Sequence, residues 1–277
     1  MATIDFDMAL EEYNLPEVCH CLFFPRREYV EDREHPKAKN YFIKATDDIS
    51  IGCRFYPAHN EGPNILYFHG NGEVAADYDY IAPLYQKRGL NLFVADYRGY
   101  GASEGKPTCL GMIKDAHPTF HGWKEILYTE GYRGKLYVMG RSLGSAPAIE
   151  IAYHYQNNIV GLIIESGFAS SYNQIRRLGV AHLFRNRENL VGFGNDLKIK
   201  EIHIPTLIIH GEWDEIIPVT EGRTLYELSG AVKKTPLFVN GAGHNDLLLV
   251  APIVYMNAIE RFIISTSSSS PLKTELR

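Results

Sequence analysis

Residues 135–155 read KLYVMGRSLGSAPAIEIAYHY, and the fold turns on how this stretch is parsed. Leu136, Tyr137, Val138 and Met139 are apolar without a break, as in a strand covered on both faces. From Leu143 to Tyr155 the apolar residues recur at helical spacing. Between the two lies Gly140-Arg141-Ser142-Leu143-Gly144, a G-x-S-x-G turn. A strand that runs straight into a helix through such a turn holds the serine in strained backbone and lifts its hydroxyl above the sheet. The glycines have a steric task, because strand and helix come so close that side chains at Gly140 and Gly144 would collide. The hydroxyl then sits at the positive end of the helix, where a developing oxyanion is favoured. Ser142 is therefore the candidate nucleophile.

Outward from this turn the chain repeats the strand-then-helix rhythm. Apolar runs at 64–68, 91–95, 135–139, 159–164, 206–209 and 236–239 read as parallel strands, each covered on both faces. Stretches at 76–88, 109–130, 143–155, 219–228 and 246–263 read as helices. Runs at 41–46 and 51–56, joined through Asp47 and Asp48, read as an antiparallel hairpin that opens the sheet. The expected class is α/β, a mostly parallel doubly wound sheet. One connection breaks the rhythm: residues 167–204 are too long for a simple crossover and are read as a short helical lid. Its centre, 172–184, carries apolar residues at helical spacing around Arg176 and Arg177, which suits a helix lying over a site. The domain is expected to span 41–264, with an N-terminal extension, 1–40, packed on the sheet edge and a low-complexity tail, 265–277.

Composition narrows the function classes. With 45% hydrophobic and 22% charged residues, the 277-residue chain reads as an ordinary soluble globule. A net charge of -5 without a basic run argues against a nucleic-acid partner, because phosphate binding needs clustered Lys and Arg. No signal sequence and no apolar run long enough for a bilayer is visible, so the expected location is cytoplasmic, without a stable membrane anchor. Cys19, Cys21, Cys53 and Cys109 are too few and scattered for a disulfide framework. Cys19 and Cys21 flank His20 without a further ligand nearby, so no metal is expected, and no cofactor motif is present.

A serine hydroxyl needs a neighbouring base. Among eleven histidines, His244 stands out because it follows the last strand, in Gly241-Ala242-Gly243-His244, and so reaches the same carboxyl edge as Ser142. His117, His121, His154, His182 and His203 fall on helices or on the lid side and read as structural. The base must be held in one tautomer by an acid. Asp214, just beyond the strand ending at Ile209, completes the order Ser, Asp, His, with Glu165, Glu215 and Asp246 as rivals. Asp246 also suits a helix N-cap. An oxyanion needs backbone donors. Leu143 supplies one by position, and Asn71 in His69-Gly70-Asn71-Gly72 is chosen for the other, with His69 structural. Arg141 has two readings, substrate contact or local pairing.

Five segments taken together resemble a known family: His69 to Gly72, Asp96-Tyr97-Arg98-Gly99-Tyr100-Gly101, Gly140 to Gly144, His210-Gly211-Glu212-Trp213-Asp214, and Gly241 to Asp246. In this order they look like the α/β-hydrolase group that includes bacterial serine esterases and depalmitoylating acyl-protein thioesterases. The resemblance spans about residues 41–263. It implies a cofactor-free serine hydrolase acting on small-molecule or acylated esters or thioesters through an acyl-serine, and it accommodates Pro147, which relatives are similar in carrying. Members that act at membranes carry an N-terminal cysteine cluster that Cys19 and Cys21 do not reproduce. Two other functions compete: a peptidase or amidase on the same scaffold, and a catalytically silent binding module.

Overall fold

In the computed structural model, which describes residues 4–28, 37–184 and 190–267, two short helices, α1 (Phe6–Glu11) and α2 (Pro16–Leu22), precede the sheet. Asp47 and Asp48 both take left-handed backbone, at φ 57° and 59°, and this turn folds strand β1 (Lys39–Lys44) back on β2 (Ser50–Tyr56). The remaining strands are β3 (Asn64–Phe68), β4 (Asn91–Ala95), β5 (Leu136–Arg141), β6 (Gly161–Glu165), β7 (Thr206–Gly211) and β8 (Lys234–Val239). Among the described residues they form an eight-stranded sheet in the order β1-β2-β4-β3-β5-β6-β7-β8. The pairs β1–β2 and β2–β4 are antiparallel and all others parallel, so the expected opening hairpin and the parallel strands after it are present.

Strands β3, β4, β6 and β7 are buried along their whole length. Alternate residues feed two cores, so Ile65 and Tyr67 face one side of β3 while Leu66 and Phe68 face the other. The first face packs under α3 (Ala82–Gln86) and α10 (Pro252–Ser267), through Tyr85, Tyr255, Ile259 and Phe262. The second packs under α4 (Cys109–Thr129), α5 (Ser145–Tyr155) and α8 (Val219–Leu228), through Phe120, Trp123, Ile149 and Leu225. Strand β8 differs from expectation. It is an edge strand, only part-buried, and carries Pro236 where no interior ladder is lost.

Three expected helices are broken, each for a local reason. The stretch 76–88 is a 3₁₀ turn (Ala75–Asp79) followed by α3, whose first turn holds Pro83, a residue without an N–H to continue an earlier helix. The stretch 246–263 is α9 (Leu247–Val250) and then α10, separated at Ala251 because the residue before Pro252 is driven out of helical backbone. Helix α10 also continues to Ser267, past the expected domain end, and the tail from 268 lies outside the described residues. In the connection expected to form a lid, α6 (Ser171–Arg177) stops before Gly179 at φ +77°, and a separate 3₁₀ turn covers Ala181–Leu183. Residues 185–189 of the lid and 29–36 of the extension lie outside the described residues. The connection closes with α7 (Asn195–Lys198).

The N-terminal segment is not laid along the sheet edge in the expected way. Tyr13 packs on lid residues Phe184 and Phe193, at ring-centroid distances of 4.9 and 6.4 Å. Asn14 accepts the Leu110 N–H at the start of α4, and Gly101 N–H donates to Arg26 O. The segment thus crosses from the lid to the loop after β4, where its apolar residues find cover that an edge strand does not offer.

Candidate active site

Ser142 sits between β5 and α5 with φ at +53°, a left-handed conformation that non-glycine residues rarely adopt. The turn is held by Ser145, whose Oγ donates to the Ser142 carbonyl at 2.7 Å. The two glycines act as the sequence requires. A Cβ on Gly140 would lie 2.6 Å from the Ala148 Cβ, and one on Gly144 would lie 2.6 Å from the Phe68 carbonyl carbon. Pro147 falls in the first turn of α5, where backbone N–H groups lack helical partners anyway.

The structure brings Ser142, His244 and Asp214 together. His244 Nε2 lies 2.9 Å from Ser142 Oγ, and His244 Nδ1 lies 2.7 Å from Asp214 Oδ2. All three side chains are buried. An ionised carboxylate only accepts, so Nδ1–H donates to Asp214, which leaves the Nε2 lone pair to receive the Ser142 hydroxyl proton. Asp214 Oδ1 accepts the N–H groups of Ile216 and Ile217 at 3.0 and 2.8 Å. His210, four residues earlier, adds a second imidazole 3.2 Å from Asp214 Oδ2 and donates to Ile217 O at 2.7 Å. Burial alone would push the Asp214 carboxyl up. The hydrogen bonds from His210 and His244 outweigh it and hold this acid well below the usual carboxylate range.

The rival acids are placed elsewhere. Glu165 accepts from Tyr255 OH at 2.6 Å, Tyr67 OH at 3.3 Å and Arg141 Nε at 3.2 Å. Glu215 is exposed. Asp246 makes no side-chain cap to α9; its Oδ1 accepts the Gly243 N–H at 2.6 Å and so braces the loop that carries His244.

Asn71 lies on the loop after β3, and its side chain is held by the N-terminal segment and Tyr100. Oδ1 accepts from Tyr100 OH at 2.7 Å and Phe24 N–H at 3.0 Å, while Nδ2 donates to Leu22 O at 2.6 Å. These contacts orient the loop. Leu143 N–H belongs to the first helical turn after Ser142. His69 is buried beneath the loop, with Nδ1 2.8 Å from Gly70 O and Nε2 3.2 Å from Asp96 Oδ1. Burial opposes its charge, yet Asp96 and the Gly70 carbonyl raise its pKa above the ordinary imidazole value. Arg98 pairs with Asp115 through both Nε and Nη2 and also reaches Thr46 Oγ1, so it ties the loop after β4 to α4 and the β1–β2 turn.

Arg141 pairs locally. It donates to His244 O and Asn245 Oδ1, both at 2.8 Å, to Glu165, and to Glu73 at very close range. Glu73 in turn accepts the Gly70 N–H at 2.9 Å and Tyr78 OH at 2.8 Å. One guanidinium thus ties together the serine turn, the Asn71 loop, the end of β6 and the His244 loop. Sequence reasoning missed Glu73, Tyr100 and His210. The Gly70-to-Glu73 spacing resembles a cap, and the i, i+4 spacing of His210 and Asp214 was visible, but neither names its partner.

The fold has known counterparts. The Hydrolase_4 family model, described as serine aminopeptidase S33, matches residues 61–191. The esterase Pf2001 of Pyrococcus furiosus superposes with a TM-score of 0.69 at 19% identity, covering 88% of this chain and 99% of that one. Mouse alpha/beta hydrolase domain-containing protein 17C is 28% identical over 262 residues, 91% of this chain and 76% of its own length. The chain has the α/β-hydrolase fold. It also resembles the Paleococcus ferrophilus monoacylglycerol lipase, with a TM-score of 0.60 at 19% identity over 78% of this chain and 99% of that one. Among its described residues no helix is long and apolar enough to cross a membrane.

Proposed function

We propose that this hydrolase cleaves carboxylic esters or thioesters through an acyl-serine intermediate. Ser142 is the nucleophile, His244 the general base and Asp214 the acid that orients it. The observation that carries the reading is the Ser142–His244–Asp214 relay, at 2.9 and 2.7 Å, on a serine held at φ +53°. His244 takes the Ser142 proton as Oγ attacks the acyl carbon, and the imidazolium formed is stabilised by Asp214. The tetrahedral oxyanion is received by the backbone N–H groups of Leu143 and Asn71, and losing one such donor costs ~3 kcal/mol of barrier. His244 then passes its proton to the departing alcohol or thiol, and water repeats the cycle on the acyl-serine. Residues 167–204 serve as the lid over this chemistry.

A fluorophosphonate probe is expected to label wild-type protein at Ser142 and to leave Ser142→Ala unlabelled. Active protein that does not react, or an alanine variant with undiminished ester turnover, sinks the assignment. The serine aminopeptidase description of the matching family favours a second reading, a peptidase. Acyl esters and thioesters graded by chain length, assayed beside aminoacyl amides, separate the two.

A further inference from the structure

Helices α4 and α5 bring three potential ligands together, none of them part of the serine site. His117 comes from α4, while Glu150 and His154 stand four apart on α5 and share one face. Both Nε2 atoms point at the same oxygen, Glu150 Oε1, from 3.2 Å for His117 and 3.0 Å for His154. One ligand atom from each residue lies within 4.8 Å of the others. Sequence reasoning treated both histidines as structural.

We propose that His117, Glu150 and His154 form a binding site for a borderline transition-metal dication of the Zn²⁺ class. Two ligand bonds of about 2.1 Å at a tetrahedral angle span roughly 3.4 Å, so the observed separations need little adjustment to enclose an ion. Two imidazoles and one carboxylate form a donor set suited to Zn²⁺ rather than Mg²⁺ or Ca²⁺. The surroundings already orient the ligands. Tyr155 OH lies 2.9 Å from His117 Nδ1, and when it accepts that N–H the Nε2 lone pair is free for metal. Lys198 Nζ lies 2.5 Å from Glu150 Oε2, which leaves Oε1 as the inward-facing donor. Glu150 is buried, whereas His154 is nearly half exposed, so an ion can enter and keep water as a fourth ligand.

The other polar groups at the cluster are His121, whose Nε2 is 3.2 Å from Tyr155 OH, and Lys198 itself. The Lys198 ammonium reduces the attraction for a dication, so affinity is expected on the order of micromolar, weaker than four-ligand structural zinc sites. An ion here would join α4 to the helix that starts three residues after Ser142.

The test is calorimetric titration of the full chain with ZnCl₂ at about pH 7.5, where unperturbed imidazoles are neutral. One ion per chain is expected, with a raised Tm. Affinity should fall about tenfold or more in His117→Ala and His154→Ala. It should persist in His182→Ala, which removes an exposed histidine whose Nδ1 lies 2.9 Å from Gly179 O. CoCl₂ should give the visible absorption of a low-coordinate nitrogen–oxygen site in wild type and lose it in His154→Ala. Because His154 is half exposed, that variant is expected to fold and keep its hydrolase activity. Absence of saturable Zn²⁺ binding to wild type overturns the proposal. Binding undiminished in His154→Ala overturns it as well.

Discussion

Replacing Arg141 with methionine keeps much of the side chain's volume and removes its charge and every hydrogen bond it donates. Four acceptors lose a partner: Glu73, Glu165, the His244 carbonyl and Asn245 Oδ1. Removing one member of a buried ion pair costs ~3–5 kcal/mol, because the remaining charge stays away from water. Here the lower end applies. Glu165 keeps two tyrosine hydroxyls, and Glu73 keeps a backbone N–H and the Tyr78 hydroxyl. Arg141→Met is therefore expected to lose about 3 kcal/mol, read as a lower urea midpoint at unchanged m-value. Its ester turnover per folded molecule should fall by about tenfold or more, since the loop carrying His244 loses its tie to the serine turn. The double variant Arg141→Met/Glu165→Gln should recover part of the stability, because the stranded buried charge is gone. A loss below about 1 kcal/mol, or a double variant no more stable than the single one, would refute the clamp.

Three further outcomes are expected. Asp214→Asn should lower kcat by roughly 10⁴-fold with the fold retained, because the wrong histidine tautomer faces Ser142. Because the native Asp214 acid lies below its ordinary value, its contribution to stability is complete above about pH 4 and is lost as pH falls. The stability gap between wild type and Asp214→Asn should therefore narrow in acid urea melts. Gly144→Ala should destabilise by about 1–3 kcal/mol in the same assay, since its Cβ meets the Phe68 and His69 backbone. Gly243→Ala should be nearly neutral, with no atom nearer than 3.6 Å to the new Cβ. Finally, the hydrogen bond with Cys109 pulls the Cys19 thiol down to about 7, against the opposing effect of burial. Iodoacetamide near neutral pH should modify Cys19 ahead of Cys53 and Cys109, whose thiols are raised, and peptide mapping reads the order.

Local pattern was enough to read the parallel strands, since a strand buried on both faces writes its burial directly as an apolar run. The nucleophile turn was equally legible, because the steric demand for glycine at 140 and 144 leaves little freedom in composition. Helix ends were less legible where a proline or glycine acts on a neighbour, as at Pro252 and Gly179, and there the expected helices were broken. The location of the N-terminal segment was beyond the sequence: Tyr13 is aromatic on any surface, and only packing selects Phe184 and Phe193 as its neighbours and Asn71 Oδ1 as the acceptor of the Phe24 backbone N–H.

The strands, the serine turn and the order in which serine, acid and histidine arrive follow from periodicity and from backbone sterics over a few residues. Folding in three dimensions brings Asp214 rather than Glu165 to His244, lets Arg141 tie the serine turn to the Asn71 loop, the end of β6 and the His244 loop, and sets His117 beside Glu150 and His154. The reason is one of range. Propensity and sterics act between near neighbours in the chain, whereas hydrogen bonds join side chains as much as 170 residues apart, whose distances exist only after the sheet has formed.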